Sequence, residues 1–329
     1  MARGGPPGAP DIAAGRGIAY AAAARRAGEA FAARRRTGSA AMKETAYLLQ
    51  AALVLAWWIG LSVSEWFFAA FQFDQIPPVA FWSFLAPDVL LVGVLSVVRA
   101  YRRAPAIEWC TLGAFAYATL YCANAAVLTR SGGLPTSLMA MGLAYNAFLC
   151  WDKALFRNAT SGTAANACKT LVQIVCIWFL ALAVIPWLLL DAFPPAPGPR
   201  SIVWTAASVG LFAAASALGL ASSFFFVRDG AGTPLPLDQS NALVVAGPYR
   251  CVRNPMAIAG IAQGLAVGMY CRSAPIVAYA LLGAVVWHVV VRPVEERDME
   301  RRFGAAYLAY RRRVACWIPT LRRPKQLIP

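Results

Sequence analysis

The residues best suited to binding chemistry lie in two short polar groups in the last third of the sequence. The first is "GPYRCVRNP" at 247–255, and the second is "RPVEE" at 292–296. Arg253 in the first group can hold a carboxylate in a fork, and a helix that begins near Pro255 would add backbone N–H groups. The second group supplies two glutamates. Together they predict a site for a charged small molecule, and the alternative is a basic loop that touches lipid headgroups.

Composition indicates which solvent surrounds these groups. The 329 residues are 60% hydrophobic and 14% charged, with a mean hydropathy of +0.56 and a net charge of +15. Soluble domains carry roughly 45–50% apolar and about 25% charged residues. The chain is therefore predicted to be an integral membrane protein whose partner is the bilayer, with no nucleic-acid partner.

Apolar stretches long enough to cross about 30 Å of hydrocarbon recur along the chain. Eight are predicted, and the fourth and seventh of them are short or interrupted. Their approximate positions are 45–71, 79–98, 107–128, 134–151, 170–190, 201–227, 255–271 and 274–291. The predicted fold is all-α, a polytopic transmembrane helical bundle of about eight spans. Glu65 and Asp88 fall in or at the ends of spans, where a structural hydrogen bond or an interfacial position is expected.

The distribution of lysine and arginine predicts the orientation of these spans. The even-numbered links and the C-terminal tail are rich in both residues, whereas the odd-numbered links hold only Arg130, Arg200 and Arg272. By the positive-inside rule, both termini and the loop at 228–253 are predicted to face the cytosol. The predicted location is the inner membrane of a bacterium.

Three regions follow from these patterns. Residues 1–43 are rich in Ala, Gly and Arg without a long apolar run, which predicts a disordered basic N-terminal arm; Met42 is an alternative start. Residues 44–227 form the predicted N-terminal transmembrane bundle of about six spans. Residues 228–329 are predicted to hold a cytosolic cofactor-binding loop, a helical hairpin and a C-terminal amphipathic helix.

The amphipathic helix is predicted from apolar residues three or four positions apart. Its apolar face is formed by Met299, Phe303, Tyr307, Tyr310 and Val314. Pro293 is expected to kink or break the last span before this helix begins. Trp317 is expected to act as an interfacial anchor.

The ordered set of motifs over residues 228–320 resembles the isoprenylcysteine carboxyl methyltransferase family, including its bacterial members, and more distantly the membrane phospholipid N-methyltransferases. The motifs are "GPYRCVRNP", an apolar hairpin, "RPVEE", "FGAAYLAYRRRV" and "WIP". The resemblance implies methyl transfer from S-adenosylmethionine to a lipophilic small molecule or a lipid, without a metal. The implied cofactor-binding residues are Gly247, Pro248, Tyr249, Arg253, Asn254, Pro255 and Glu295. The implied catalytic residues are Arg292 and Glu296.

Methyl transfer from a sulfonium is an in-line displacement, which needs alignment and exclusion of water. A carboxylate acceptor would be positioned by Arg292, whereas an amine or thiol would lose its proton to Glu296. Tyr249 would pack on the adenine. The family often has His at the position of Asn254 and Tyr at that of Ala257, so these two residues depart from its pattern.

Three other classes stay open. One is a membrane reductase that uses a nicotinamide cofactor, because such enzymes have a related C-terminal architecture. Another is a non-catalytic scaffold, because Asn254 and Ala257 depart from the family pattern. The third is a transporter, which would show broken, polar helices at the midplane and internal repeats.

Two single residues have expectations of their own. Cys251, beside Arg250, is a minor alternative as a nucleophile, and His288 is expected to be neutral and bonded to a neighbouring helix. The sequence fixes neither the acceptor nor the oligomeric state.

Overall fold

The computed structural model describes residues 42–102, 104–151, 162–195, 197–233 and 240–319, and over these ranges the chain is helical with no strand. The all-α prediction is confirmed. Apart from its last two positions, the predicted basic arm at 1–43 lies outside the described residues.

Ten helices are described. They are α1 (Met42–Val63), α2 (Glu65–Phe71), α3 (Pro78–Tyr101), α4 (Pro105–Thr129), α5 (Gly133–Trp151), α6 (Ala164–Ala192), α7 (Ile202–Gly230), α8 (Pro255–Cys271), α9 (Ala274–Val286) and α10 (Arg292–Arg313). A π-helical turn, Trp287–Val291, joins α9 to α10 without a break. Two further π-helical stretches, Asp88–Val94 and Leu180–Val184, lie within α3 and α6.

Six described helices are long and apolar enough to cross a membrane: α1, α3, α4, α6, α7 and the continuous α9–α10 helix. The other two predicted spans correspond to α5 and α8, and α8 has only 17 residues. The predicted count of eight is therefore approximate. In the α9–α10 helix the apolar part ends at Val291, because α10 is rich in charged residues.

Several polar side chains inside the first five helices are paired with one another. Gln50 Nε2 donates to Ser96 Oγ at 2.8 Å, and Asn146 Nδ2 donates to Gln50 Oε1 at 2.8 Å. The buried Glu108 carboxylate accepts from Arg99 and from Lys43 Nζ, the latter at 2.9 Å. Since a buried polar group without a partner is costly, these bonds fix how α1, α3, α4 and α5 pack.

The predicted helical hairpin is present at α8 and α9. Arg272, the C-cap of α8, adopts a left-handed φ of 55°, and the Ser273 hydroxyl accepts from the backbone N–H of Ile276 to cap α9. A Cβ on Gly264 would lie 3.0 Å from the Cβ of Ala280, so the small residue lets the two helices approach closely.

A kink or break was expected at Pro293; the helix does not break there, and a bend lies further along. The helix passes through Pro293 because the preceding π-helical turn shifts the backbone carbonyls that the proline ring would otherwise meet. α10 bends instead at Gly304, where φ is 51° and ψ is −124°. Such backbone angles are accessible essentially only to glycine.

Candidate active site

The two polar groups meet at a cavity of about 360 Å³. The cavity is bounded by α6, α7, the loop at 240–254, α8, the π-helical turn and α10. Its polar lining includes Tyr249, Arg253, Asn254, Glu295, Glu296, Tyr307 and Tyr310. Its apolar lining includes Ile174, Ile177, Trp178, Ala181 and Leu182 of α6, Phe226 of α7, Met256 and Ala259 of α8, and Trp287. The cavity therefore has both charged and apolar lining.

The loop before α8 is held by tight turns. The backbone N–H of Asn241 donates to the carbonyl of Gly230 at 2.6 Å, which fastens the loop to the end of α7. Gly247 has a φ of +55°, and a Cβ there would lie 2.2 Å from Cδ2 of Phe225. Gly247 and Pro248 thus shape the 3₁₀ turn Gly247–Arg250, which buries the Tyr249 side chain beside the cavity.

Arg253 and Glu296 form the central ion pair of the site. Arg253 Nη1 donates to Glu296 Oε1 at 2.8 Å, and both side chains are largely buried. Arg253 Nε has no hydrogen-bond partner among the described residues. Arg292 stands behind the pair: its Nη1 is 4.0 Å from Glu296 Oε1, and its Nε donates to the carbonyl of His288 at 3.3 Å. Part of the Arg253 guanidinium thus remains available for a ligand.

Glu295 differs from Glu296 in its electrostatic environment. Burial of its carboxyl, together with the negative charge of Glu296, raises the pKa of Glu295 to about 7. Burial, with the nearby Tyr310 and Glu295, also raises the pKa of Tyr249 well above its usual value. The Tyr249 hydroxyl therefore stays neutral, and its oxygen has no partner among the described residues.

The segment after α10 closes over the loop. The backbone N–H of Arg253 donates to the carbonyl of Ala315 at 3.0 Å, and Asn254 Nδ2 donates to Cys316 Sγ at 3.4 Å. Trp317 Nε1 donates to His288 Nδ1 at 2.8 Å. His288 is thus bonded to the C-terminal segment rather than to a neighbouring helix, and Trp317 fastens that segment to the protein.

Six of the nine predicted site residues line the cavity. They are Tyr249, Arg253, Asn254, Pro255, Glu295 and Glu296. Gly247 and Pro248 support the turn beneath them, and Arg292 lies behind Glu296. Cys251 is exposed and does not line the cavity. No cluster of three or more potential metal ligands occurs among the described residues.

Several lining residues were not predicted as site residues. Tyr307 and Tyr310 were expected only as part of an apolar helix face, but Tyr310 Oη donates to the carbonyl of Tyr249 at 2.7 Å and both rings border the cavity. Their three-residue spacing, about three helical turns after the glutamates, was the available signal. The contribution of α6 had no local sequence signal, because its lining residues are ordinary apolar residues of a span.

Part of the chain matches a known protein family. Residues 205–306 match the family model of phospholipid methyltransferases, which lies in the isoprenylcysteine carboxyl methyltransferase-like superfamily. The match includes all nine predicted site residues and most of α7, but not α6. No curated protein and no solved structure matches the chain. The resemblance inferred from the motifs is confirmed for this part of the chain.

Proposed function

Since residues 205–306 form a phospholipid methyltransferase domain in an integral membrane protein, we propose that the chain transfers a methyl group from S-adenosylmethionine to a lipophilic acceptor. The carrying observation is that one cavity combines charged residues of the matched domain with apolar residues of α6 in its lining. This combination suits a water-soluble donor that meets a lipid-soluble acceptor.

The residues present fit the proposed cofactor. The molecule carries a carboxylate, an ammonium, a ribose and an adenine, and the charged lining of the cavity offers groups of both signs. Tyr249 Oη, Ser240 Oγ and Arg253 Nε are buried without a partner among the described residues, and all three residues line the space. The volume of about 360 Å³ lies in the range of small-molecule sites, roughly 300–1,000 Å³. When bound, the cofactor would supply an electrophilic methyl group on a sulfonium.

Arg253 would hold the carboxylate of the cofactor. Its Nε has no partner among the described residues, the residue lines the cavity, and the backbone N–H groups at the start of α8 lie next to it in the chain. Glu296 would keep the guanidinium in place through the 2.8 Å bond. Tyr249, which is neutral, would donate or accept a hydrogen bond from a buried position.

The two glutamates favour a division of roles. Glu296 forms an ion pair with Arg253 and lies beside Arg292, so it is suited to holding the Arg253 side chain in position. Glu295, whose pKa is raised to about 7, is better suited to exchange a proton with an amine or thiol acceptor near neutral pH. The expected catalytic role is therefore proposed for Glu295, with Glu296 and Arg292 holding the guanidinium of Arg253.

The apolar lining of the cavity supports a lipophilic acceptor. Ile177 of α6 lines the cavity and is also 44% exposed. The α6 side of the cavity therefore extends to the outer surface of the helices. An acceptor chain would lie along α6 while its reactive end approaches the charged residues. The alternation of positive charge supports a cytosolic position for the charged lining and for both termini.

The direct test is calorimetric binding of S-adenosylmethionine to the full chain in detergent. Arg253→Ala is expected to weaken binding by about tenfold to a hundredfold, because a charge-assisted hydrogen bond contributes roughly 1.5–3 kcal/mol. Arg253→Lys, which keeps the charge but not the fork, should lose less. Arg228→Ala is the matched control, because Arg228 is exposed and pairs with Asp229 outside the cavity.

Transfer is measured separately, with radiolabelled cofactor and a bacterial lipid extract. Label in the lipid phase that depends on Arg253 supports the proposal. Folding of each variant is checked by thermal unfolding. Absence of binding at millimolar cofactor, or protection of the protein by a nicotinamide cofactor instead, would refute it.

A further inference from the structure

A second cavity lies among the first five helices, outside the matched domain. It has a volume of about 60 Å³ and is formed by α1, the segment after α2, α3, α4 and α5. Trp58, in its wall, packs in a cluster with Phe193 just beyond the end of α6, whereas Gln173 in the first half of α6 lines the active-site cavity. The two cavities therefore lie toward opposite ends of α6.

Aromatic rings form much of the wall of this cavity. Six of its fourteen lining residues are aromatic: Trp57, Trp58, Phe73, Phe81, Phe84 and Tyr121. Trp57 and Trp58 meet edge to face with ring centroids 5.0 Å apart, and Trp58 lies 5.8 Å from Phe81 at a tilt of 57°. Rings tilted in this way offer faces as well as edges to the space between them, and aromatic faces attract cations.

Asp88 is the only charged residue among the fourteen that line the cavity. No lysine or arginine among the described residues forms an ion pair with it, and Trp58 is the side chain that interacts with its carboxylate. An unpaired carboxylate inside a membrane helix is costly, and such residues commonly mark binding sites.

The backbone at Asp88 is also unusual. Asp88 follows Pro87 and is the first residue of the seven-residue π-helical stretch Asp88–Val94. π-Helical turns inside α-helices occur frequently at functional sites. The widened turn lies at the carboxylate itself, so the local distortion and the unpaired charge coincide.

We propose that this aromatic cavity binds the ammonium group of a protonated or methylated amine. The carboxylate would neutralise the positive charge, and the indole and phenyl faces would surround its N-methyl or N-methylene groups. A volume of about 60 Å³ equals that of about two water molecules at roughly 30 Å³ each. The space thus admits an ammonium with one or two small substituents and excludes a nucleotide or a sugar.

An anion is the contrasting ligand. Trp57 Nε1 and Gln72 Nε2 are buried without an acceptor among the described residues, and such donors favour negative charge. A bound anion would, however, lie against the Asp88 carboxylate, which repels it. The geometry therefore points to the cation, and the test includes an anion as a contrary case.

To test this proposal, dimethylammonium chloride is titrated into the full chain in an uncharged detergent at constant ionic strength. Binding is measured by saturation-transfer NMR on the methyl signal of dimethylammonium. Saturable binding is expected, with none for 2-propanol, an uncharged molecule of similar size. Asp88→Asn should weaken binding about tenfold, consistent with loss of a charge partner in a desolvated site. Asp191→Asn is the matched control, since Asp191 is an exposed carboxylate of α6 outside the cavity.

Phe81→Leu provides a second variant in case Asp88→Asn does not fold, as judged by thermal unfolding. It keeps an apolar side chain but removes a ring, and should weaken binding about threefold. The proposal is overturned if dimethylammonium does not saturate, if 2-propanol binds equally well, if sodium acetate binds instead, or if neither variant changes the affinity.

Bilayer nanodiscs distinguish a free amine from a lipid headgroup as the source of the ammonium. In phosphatidylglycerol discs dimethylammonium should bind in either case. Loss of that binding in discs that mix phosphatidylethanolamine with phosphatidylglycerol would identify the headgroup as the occupant, whereas equal binding in both would identify a free amine. None of these measurements depends on methyl transfer, so their outcome is independent of the function proposed for the first cavity.

Discussion

The charged lining of the active site depends on neighbouring carboxylates that differ in environment. Glu296 is bonded to Arg253, while Glu295 is buried beside that negative charge and has a pKa raised from its ordinary 4.5 to about 7. In the unfolded chain Glu295 returns to its ordinary value. The folded protein therefore holds a proton that the unfolded chain releases between these two pH values.

This difference predicts a pH-dependent stability. A raised carboxyl pKa disfavours the folded state once the group must ionise, so the free energy of unfolding should fall as pH rises from about 4.5 through 7, by at most about 3 kcal/mol. Glu295→Gln should remove this dependence, whereas Glu65→Gln, at the exposed start of α2, should retain it. Thermal unfolding in detergent across this range measures both, and a parallel slope in the wild type and Glu295→Gln would contradict the assignment.

At the scale of single elements, the bend in α10 determines which side chains reach the cavity. Tyr307 and Tyr310 follow Gly304, and Tyr310 reaches the carbonyl of Tyr249 across the site. Because φ is 51° and ψ is −124° at Gly304, any other residue would strain or straighten the helix. The bend thus connects a backbone property of one glycine to the shape of the site.

Gly304→Ala is expected to destabilise the protein by about 1–3 kcal/mol and to weaken cofactor binding. No atom lies within 4 Å of the added methyl group, so the loss would come from the backbone and not from a clash. Gly210→Ala in α7 is the control: it also meets no atom within 4 Å, has no positive φ, and should be neutral or slightly stabilising. Equal stability of the two variants by thermal unfolding would show that the bend is not required.

The same elements show what the sequence can and cannot predict. The hairpin of α8 and α9 and the loop around Tyr249 were predicted because apolar runs, prolines and glycines act over a few residues. The break expected at Pro293 does not occur, because the π-helical turn that accommodates the proline arises from the packing of the whole helix. The wall formed by α6 could not be predicted, since Trp178 and Arg253 are distant in the chain and line one cavity only through helix packing.

At the scale of the whole molecule, α6 joins the N-terminal spans to the methyltransferase domain. The family match begins at residue 205, so the apolar wall formed by α6 lies outside it. If this wall binds the acceptor and the loop before α8 binds the donor, the two halves of the reaction depend on different parts of the chain. A substitution in α6 should then separate acceptor binding from cofactor binding.

Trp178→Ala is expected to lower transfer to lipid acceptor about tenfold at limiting acceptor, because a buried aromatic anchor commonly contributes more than 1 kcal/mol. Calorimetric affinity for S-adenosylmethionine should stay unchanged, since the charged groups of the cavity belong to the loop before α8 and to α10, not to α6. Phe179→Ala is the matched control, because the next residue of α6 is 65% exposed and does not line the cavity. An equal loss of cofactor affinity would place α6 in the donor site, and unchanged transfer would leave α6 with a structural role alone.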